Sequence, residues 1–103
     1  NVQDVACSFQ HEAVDMLVEK TVRAAKEYGI NTIALAGGVA ANSYLRDTIT
    51  KECEKNGLTI TYPSLILCTD NAAMIGSAGY YNLINEQNIS YDLSVSPNPS
   101  LKL

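Results

Sequence analysis

The sequence is poor in the residues that build many metal and redox sites. It has one histidine, no tryptophan and three cysteines, Cys7, Cys53 and Cys68, in 103 residues. No two cysteines form a CxxC pair, so their spacing excludes a zinc ribbon and a thioredoxin-type motif. Four residues after His11 comes Asp15 rather than a second histidine, which excludes a zinc-protease helix. We expect the side chains of His11 and Asp15 to be solvated.

Basic residues are also scarce. The chain has 7 Lys and Arg against 11 Asp and Glu, giving a net charge of −4, which is a poor electrostatic footprint for nucleic acid. If the chain works on RNA, the phosphate-binding surface must lie elsewhere. The start shows no signal-peptide pattern, and no apolar run approaches the roughly 18 residues that suggest a membrane span. We therefore expect a cytoplasmic protein with reduced thiols and no membrane association.

The first helix is predicted from apolar residues spaced three or four apart. It runs over Val2–Tyr28 and is closed by Gly29. Cys7 and Cys53 fall on apolar helical positions and are predicted to be small core residues. The apolar stripe of the first helix consists of Val5, Phe9, Ala13, Met16, Leu17, Ala24 and Tyr28.

Two short parallel strands are predicted next. The apolar, partly β-branched run Thr32–Ala36 indicates a buried strand, and Leu58–Tyr62 indicates a second strand that Pro63 ends. A strand-helix-strand unit makes the two strands parallel. Two parallel strands do not form an independent sheet, so we expect further strands from missing sequence or from a partner.

Two more helices complete an α/β chain of order α-β-α-β-α. Helical spacing predicts the second over Val39–Asn56, with Leu45, Ile49 and Cys53 four apart. Thr69 is the predicted N-cap of a third helix over Asp70–Glu86. An irregular tail occupies 89–103.

The segment 35–42, between the first strand and the second helix, is the first candidate site. It reads Leu-Ala-Gly-Gly-Val-Ala-Ala-Asn and lies at the carboxyl end of a strand, where ligands collect in open α/β sheets. Gly37 and Gly38 let a ligand approach the backbone, and a helix N-terminus favours a phosphate. Asn42 offers an amide that both donates and accepts hydrogen bonds. A tight strand-to-helix turn without a ligand explains the same residues, and the segment matches neither GxGxxG nor a Walker loop.

The segment 68–74, Cys-Thr-Asp-Asn-Ala-Ala-Met, is the second candidate site. Asp70 is predicted to lie in the first turn of the third helix, where the helix dipole stabilises its carboxylate. A carboxylate near a phosphate-binding loop suits a hard metal ion that bridges to phosphate. A plain helix start is the alternative interpretation of Asp70.

Together the two segments resemble the signatures of the tRNA threonylcarbamoyladenosine transferase family, formerly described as glycoprotease or O-sialoglycoprotein endopeptidase. The first signature is 36–42 followed by Leu45 and Arg46, and the second is Cys-Thr-Asp-Asn-Ala-Ala-Met-Ile at 68–75. The regions 9–22 and 92–95 fit as well, so the resemblance covers nearly the whole chain. Two long motifs in the right order are a more specific signal than either alone.

The resemblance implies part of an actin-like ATPase (ribonuclease H-like) fold, with the chain as the C-terminal part of its second domain. It implies a transferase that moves a threonylcarbamoyl group from its adenylate to the exocyclic nitrogen of the adenosine beside the tRNA anticodon. In that family an iron or zinc ion is held by an HxxxH segment and one aspartate, which Asp70 matches. Asn42 matches the residue that contacts ATP or the adenylate, and Gly37 and Gly38 match the loop against which the nucleotide lies.

The chain differs from the family pattern by what is absent, since His11 is its only histidine and no HxxxH segment exists. With its start at Asn1 rather than Met, it resembles the C-terminal third of a longer enzyme. The implied partners are tRNA and the partner proteins of the threonylcarbamoyl-adenosine pathway. The isolated chain is expected to be inactive, to bind metal weakly, and to form a homo-oligomer through faces that the rest of its domain would cover.

Two other functions remain open at this point. One is the metalloprotease that the family was formerly thought to be. The other is a non-catalytic nucleotide-binding scaffold of the actin and sugar-kinase superfamily. Such a scaffold would be expected to lose the metal-binding aspartate, whereas Asp70 is present.

Overall fold

The computed structural model describes residues 1–85, 94 and 96–100. Its elements are helix α1 (Val2–Glu27), strand β1 (Thr32–Ala34), helix α2 (Ser43–Lys55), strand β2 (Thr59–Thr61) and helix α3 (Ala72–Ile84), with 3₁₀ turns at Gly38–Ala41 and Leu65–Leu67. The predicted α/β class and the order α-β-α-β-α are confirmed. The chain divides into two compact units, 1–70 and 71–103.

The core of the first unit is formed where α1 packs on α2. Its buried members are Val14, Val18, Val22, Leu45, Ile49 and Cys53, and the half-buried residues that pack on them are Ile33, Leu35, Tyr44, Leu58 and Ile60. Cys53 is completely buried, which confirms its predicted core position. Burial, followed by the charge of Glu52, raises the pKa of the Cys53 thiol, so this side chain acts as a small apolar group.

The predicted apolar stripe of α1 is wrong, because the helix has a second apolar face. Val5, Phe9 and Met16 are 68%, 75% and 51% exposed, whereas the residues buried along α1 are Val14, Val18, Val22 and Ala25. Apolar residues recur at intervals of three and four on both faces of α1, so their spacing does not indicate which face packs against α2.

Cys7, also predicted to be a core residue, is exposed. It precedes the first buried residue of α1, Val14, by about two helical turns. It therefore lies beyond the part of the helix that packs on α2.

The two strands pair in parallel, as predicted. The register places Thr32 opposite Thr59, Ile33 opposite Ile60 and Ala34 opposite Thr61. The prediction that the first strand is buried is wrong. Its burial pattern is exposed, half-buried, exposed, because successive side chains of a strand point to opposite faces and only one face meets the helical core.

The second helix begins later than its predicted start at Val39. Residues Gly38–Ala41 form a 3₁₀ turn, and α2 begins at Ser43 after an extended residue, Asn42, with φ −67° and ψ 117°. The side chain of Asn42 accepts a hydrogen bond from the Leu45 N–H, which fixes the start of the helix.

The third helix begins two residues after its predicted start, because Asn71 and not Thr69 is its N-cap. The Asn71 side chain accepts a hydrogen bond from the Met74 N–H at 3.0 Å. No residue of α3 is buried. The predicted end, Glu86, lies outside the described residues, as do 89–93, 95 and 101–103 of the predicted tail. Within the described part of the chain, no helix is both long and apolar enough to cross a membrane.

Candidate functional site

The first candidate site is the turn that joins β1 to α2. The Leu35 N–H donates to the Thr61 carbonyl at 2.9 Å, so the sheet ladder holds the chain up to the point where the turn begins. Gly37 then takes a φ of 87°, in the left-handed region that favours glycine. Backbone geometry alone therefore accounts for the glycine at position 37.

Gly38 differs from its neighbour, since it does not have a positive φ. A Cβ atom added at Gly38 would meet no described atom within 4 Å. Neither backbone strain nor packing in the described part of the chain therefore requires glycine at this position. Close approach of a ligand to the backbone is a further reason for a protein to keep glycine there.

Asn42 lies at the end of this turn and is half-buried. Its Oδ1 accepts the hydrogen bond from the Leu45 N–H at 3.0 Å, and its Nδ2 donates to Oε1 of Gln10 on α1 at 3.4 Å. Because Oδ1 already caps α2 and one amide N–H donates to Gln10, the second amide N–H is the part of Asn42 best placed to bind a ligand. The sequence predicted an amide that both donates and accepts, and here the accepting side is engaged in the helix cap.

The residue that sequence reasoning did not single out is Arg46, in the first turn of α2. Its Nε donates to the Ala40 carbonyl inside the glycine turn. Its Nη2 donates to the Pro63 carbonyl at 2.9 Å and to Cys68 Sγ at 3.0 Å. The sequence showed Arg46 only as the end of the first motif, and its partners at 63 and 68 are too distant in sequence for any local pattern.

Asp70 is the last residue of the first unit, and its side chain is exposed. The prediction that it lies in the first turn of the third helix is wrong, since α3 begins at Ala72 after the cap Asn71. The Met74 N–H at the helix start donates to the Asn71 side chain, so Asn71 caps the helix and Asp70 lies outside it. It follows Cys68, the thiol that Arg46 contacts, by two residues.

Asp70 has too few other metal-binding side chains near it, among the described residues, to bind a metal ion on its own. Among residues 1–85, 94 and 96–100, no group of three His, Cys, Asp or Glu side chains is placed to bind an ion. A zinc or iron site needs about four ligands, and an exposed carboxylate supplies one of them. Asp70 therefore fits a metal as one contributing ligand.

His11 and Asp15 are exposed, as expected for residues outside a metal site. The His11 ring stacks on the ring of Tyr44, with centroids 4.4 Å apart and planes 8° from parallel. With the Gln10 to Asn42 bond, this stack connects the N-terminal half of α1 to the start of α2. The lone histidine therefore contributes to packing beside the candidate site.

Comparisons with known proteins agree on one family. The family model described as TsaD, tRNA N6-adenosine threonylcarbamoyltransferase, matches residues 1–77. Curated proteins of that name are similar over nearly the whole chain: 54% identical over 102 residues in Clostridioides difficile strain 630, 50% over 101 residues in Clostridium botulinum strain 657, and 50% over 100 residues in Caldicellulosiruptor saccharolyticus. These matches cover 99%, 98% and 97% of the chain. The chain spans 30% of the length of each of these relatives.

Proposed function

Because the chain belongs to the tRNA N6-adenosine threonylcarbamoyltransferase family, we propose that it is part of an enzyme that modifies tRNA. The reaction moves a threonylcarbamoyl group from its adenylate to the exocyclic nitrogen of the adenosine beside the anticodon. The chain spans 30% of its relatives' length, so the activity belongs to the whole protein. In that protein the chain contributes the C-terminal part of the second actin-like domain.

The observation that carries the proposal is the glycine at position 38. Nothing in the described fold requires it, since its φ is not positive and an added Cβ would have open space. A nucleotide lying against the backbone of the turn would require it, because a methyl group would occupy the surface that the nucleotide contacts. Gly37 allows the backbone conformation of the turn, and the absence of a side chain at Gly38 leaves room for the nucleotide against the backbone.

Asn42 and the start of α2 provide the polar contacts for that nucleotide. The N-terminus of a helix carries a partial positive charge and favours phosphate oxygens. The Asn42 amide donates to an oxygen of ATP or of the adenylate, while its own oxygen continues to cap the helix. This division of roles keeps the binding side chain rigid.

Asp70 is proposed to supply one carboxylate ligand to an iron or zinc ion whose other ligands come from the rest of the protein. When bound, such an ion supplies Lewis-acid polarisation of the transferred carbamoyl group and orients it. Asp70 is exposed and lies outside α3, so its carboxylate oxygens are accessible to an ion. The contribution of this chain is to hold that carboxylate at the end of the first unit.

The charge and the exposed apolar residues of the chain bear on its partners. A net charge of −4 gives little attraction for tRNA phosphates, so we place the tRNA-binding surface on other parts of the protein or on its partner proteins. We propose a cytoplasmic location, where tRNA and reduced thiols are found together. The isolated 103-residue chain is proposed to self-associate, since Val5 and Phe9 on α1 are 68% and 75% exposed.

The test compares three glycine variants in the full-length protein. Gly38→Ala should leave the melting temperature unchanged and abolish measurable ATP binding by calorimetry. Gly57→Ala is the matched control, since Gly57 has a φ of 66° at the end of α2 and alanine there is strained by about 1 kcal/mol. It should lower the melting temperature and leave ATP binding intact.

The third variant, Gly37→Ala, should lower both quantities, because its φ of 87° is also unfavourable for alanine. Unchanged ATP affinity and tRNA modification in Gly38→Ala would contradict the proposed site. A lowered melting temperature in Gly38→Ala would mean that the rest of the protein, rather than a nucleotide, packs against the turn.

A further inference from the structure

Arg46 contacts two loops from a fixed position in the first turn of α2. Its backbone N–H donates to the Asn42 carbonyl at 3.1 Å, which places it one helical turn after the cap. Its Nε bonds to the Ala40 carbonyl, and its Nη2 bonds to the Pro63 carbonyl at 2.9 Å and to Cys68 Sγ at 3.0 Å. One guanidinium therefore joins the glycine turn to the segment that leads to Asp70.

The surroundings of the guanidinium fix its orientation. Its central carbon lies 4.5 Å from the centroid of the Tyr62 ring, so the ring supports one face of the group. Ala40 is 0% exposed and Cys68 is 4% exposed, so two of the three contacts are made to buried residues. The rigid, planar guanidinium can donate hydrogen bonds to both loops at once, whereas a lysine ammonium is a single charged group at the end of a flexible side chain.

From these contacts we infer that Arg46 is a positioning residue that holds the glycine turn and the segment ending at Asp70 in one arrangement. It acts through Ala40 on the turn of Gly37 and Gly38, and through Cys68 on Asp70, without touching the nucleotide itself. The inference rests on the proposed function, since it assigns a reason for fixing those two loops relative to each other. It extends the site beyond Gly37, Gly38, Asn42 and Asp70.

The test is Arg46→Lys in the full-length protein, with ATP as the probe. Lysine keeps the positive charge and is a good helix former. The variant therefore removes the planar guanidinium and its set of N–H donors. ATP affinity should fall about tenfold, as expected when roughly two hydrogen bonds that hold the site are lost. Arg23→Lys is the matched control, because Arg23 is exposed on α1 and pairs only loosely with Glu19, at 3.7 Å. It should bind ATP as the parent does.

A second readout follows the contact itself through the cysteines. Cys68 and Cys53 are both buried in the parent and should resist iodoacetamide, as measured by mass spectrometry of the peptides. In Arg46→Lys the Cys68 thiol should become reactive while Cys53 stays protected, which shows that the core is intact. This local change distinguishes a positioning role from a general loss of stability, which would expose both thiols.

The outcomes separate this inference from the proposed function. Parent-like ATP affinity in Arg46→Lys, or a Cys68 that stays protected while affinity falls, would overturn the inference. If the parent itself does not bind ATP, the proposed function fails, and the Cys68 labelling still decides whether Arg46 holds the loop.

If Arg46→Lys exposes Cys53 as well, Tyr62→Ala decides instead. It should partly release Cys68 and weaken ATP binding, whereas Tyr62→Phe should match the parent, and no release in Tyr62→Ala would overturn the inference.

Discussion

Helices α2 and α3 have the same length and the same kind of start, yet only α2 has buried residues. Each has 13 residues, and each begins after an asparagine whose side chain caps it. The first buries Leu45, Ile49 and Cys53, and the second buries nothing. The exposed large apolar residues of α3 are Met74, Ile75, Tyr80, Tyr81, Leu83 and Ile84.

The difference teaches that hydrophobicity and burial report different things in this chain. The polar helix, α2, has a narrow apolar stripe that α1 and the strands cover. The apolar helix, α3, has apolar residues around its whole circumference, a composition typical of a helix buried in a larger protein. Since the chain spans 30% of its relatives' length, we expect further polypeptide to surround α3 in the whole protein.

The largest expected effect comes from shortening one isoleucine on each helix. Ile49→Ala in α2 should lower the free energy of unfolding by about 2–5 kcal/mol, because Ile49 is 2% exposed and its loss leaves a cavity. Ile75→Ala in α3 should change it by less than about 0.5 kcal/mol, since Ile75 is 67% exposed and alanine is the better helix former. Urea unfolding of the 103-residue chain, followed by circular dichroism at a concentration low enough to keep the chain monomeric, measures both.

Comparable losses in the two variants at that low concentration would remove the distinction between the helices, because they would mean that α3 is packed within the monomer. Repeating the Ile75→Ala measurement at micromolar concentration, where association is expected, should increase its loss, because packing by a second copy depends on concentration.

A smaller effect is expected on self-association. The isolated chain should sediment as a homodimer or larger oligomer at micromolar concentration, because contiguous apolar surface drives association. Ile75→Lys should shift the equilibrium toward the 11.1 kDa monomer. Asp47→Asn is the matched control, since it changes the net charge by the same amount on an exposed position of α2.

Association that Asp47→Asn weakens as much as Ile75→Lys would indicate a general effect of charge rather than a role for α3. A parent chain that is already a cooperatively folded monomer would contradict the self-association proposal. Sedimentation equilibrium gives both answers from the same samples.

The sequence predicted the elements because their hydrophobic periods are local, and it failed where a choice depended on distant residues. The order of helices and strands is confirmed, as are the parallel pairing and the buried Cys53. The cap of the third helix was misplaced, since Thr69 and Asn71 are equally suited to capping and only the fold selects Asn71.

The site shows the same division between local and distant information. Gly37, Gly38 and Asn42 lie within six positions of one another in the sequence and within one turn of the structure, so a local motif could predict them. Arg46 was missed as a functional residue because the contacts that define its role are to residues 17 and 22 positions away. The buried face of α1 was missed for a related reason, since it depends on where α2 packs.

The smallest expected effect is a pH dependence that α2 has and α3 lacks, because Ala72–Ile84 contains no Asp, Glu, Lys, Arg or His. In α2, Lys55 Nζ donates to Glu52 Oε2 at 3.0 Å, and Asn56 Nδ2 donates to Glu52 Oε1 at 3.2 Å. The hydrogen bond from Lys55, then that from Asn56, hold the pKa of Glu52 below its ordinary value of 4.5; desolvation opposes this shift, and the charges of Lys55 and Lys26 add to it. A carboxyl whose pKa is lower in the folded state stabilises that state above its ordinary pKa, and this contribution is lost as pH falls through the lowered value.

Glu52→Gln should therefore be slightly less stable than the parent well above pH 4.5, and the difference should vanish at more acidic pH. Glutamine keeps one accepting oxygen in place of two, as a protonated carboxyl does, so the variant removes the charge and one of the two hydrogen bonds from Lys55 and Asn56. Urea unfolding of both proteins across that range measures the difference, and the NMR titration of the Glu52 side chain gives its pKa directly. A titration midpoint at or above 4.5, with a stability difference that persists in acid, would contradict the assignment and would leave α2 no more sensitive to pH than α3.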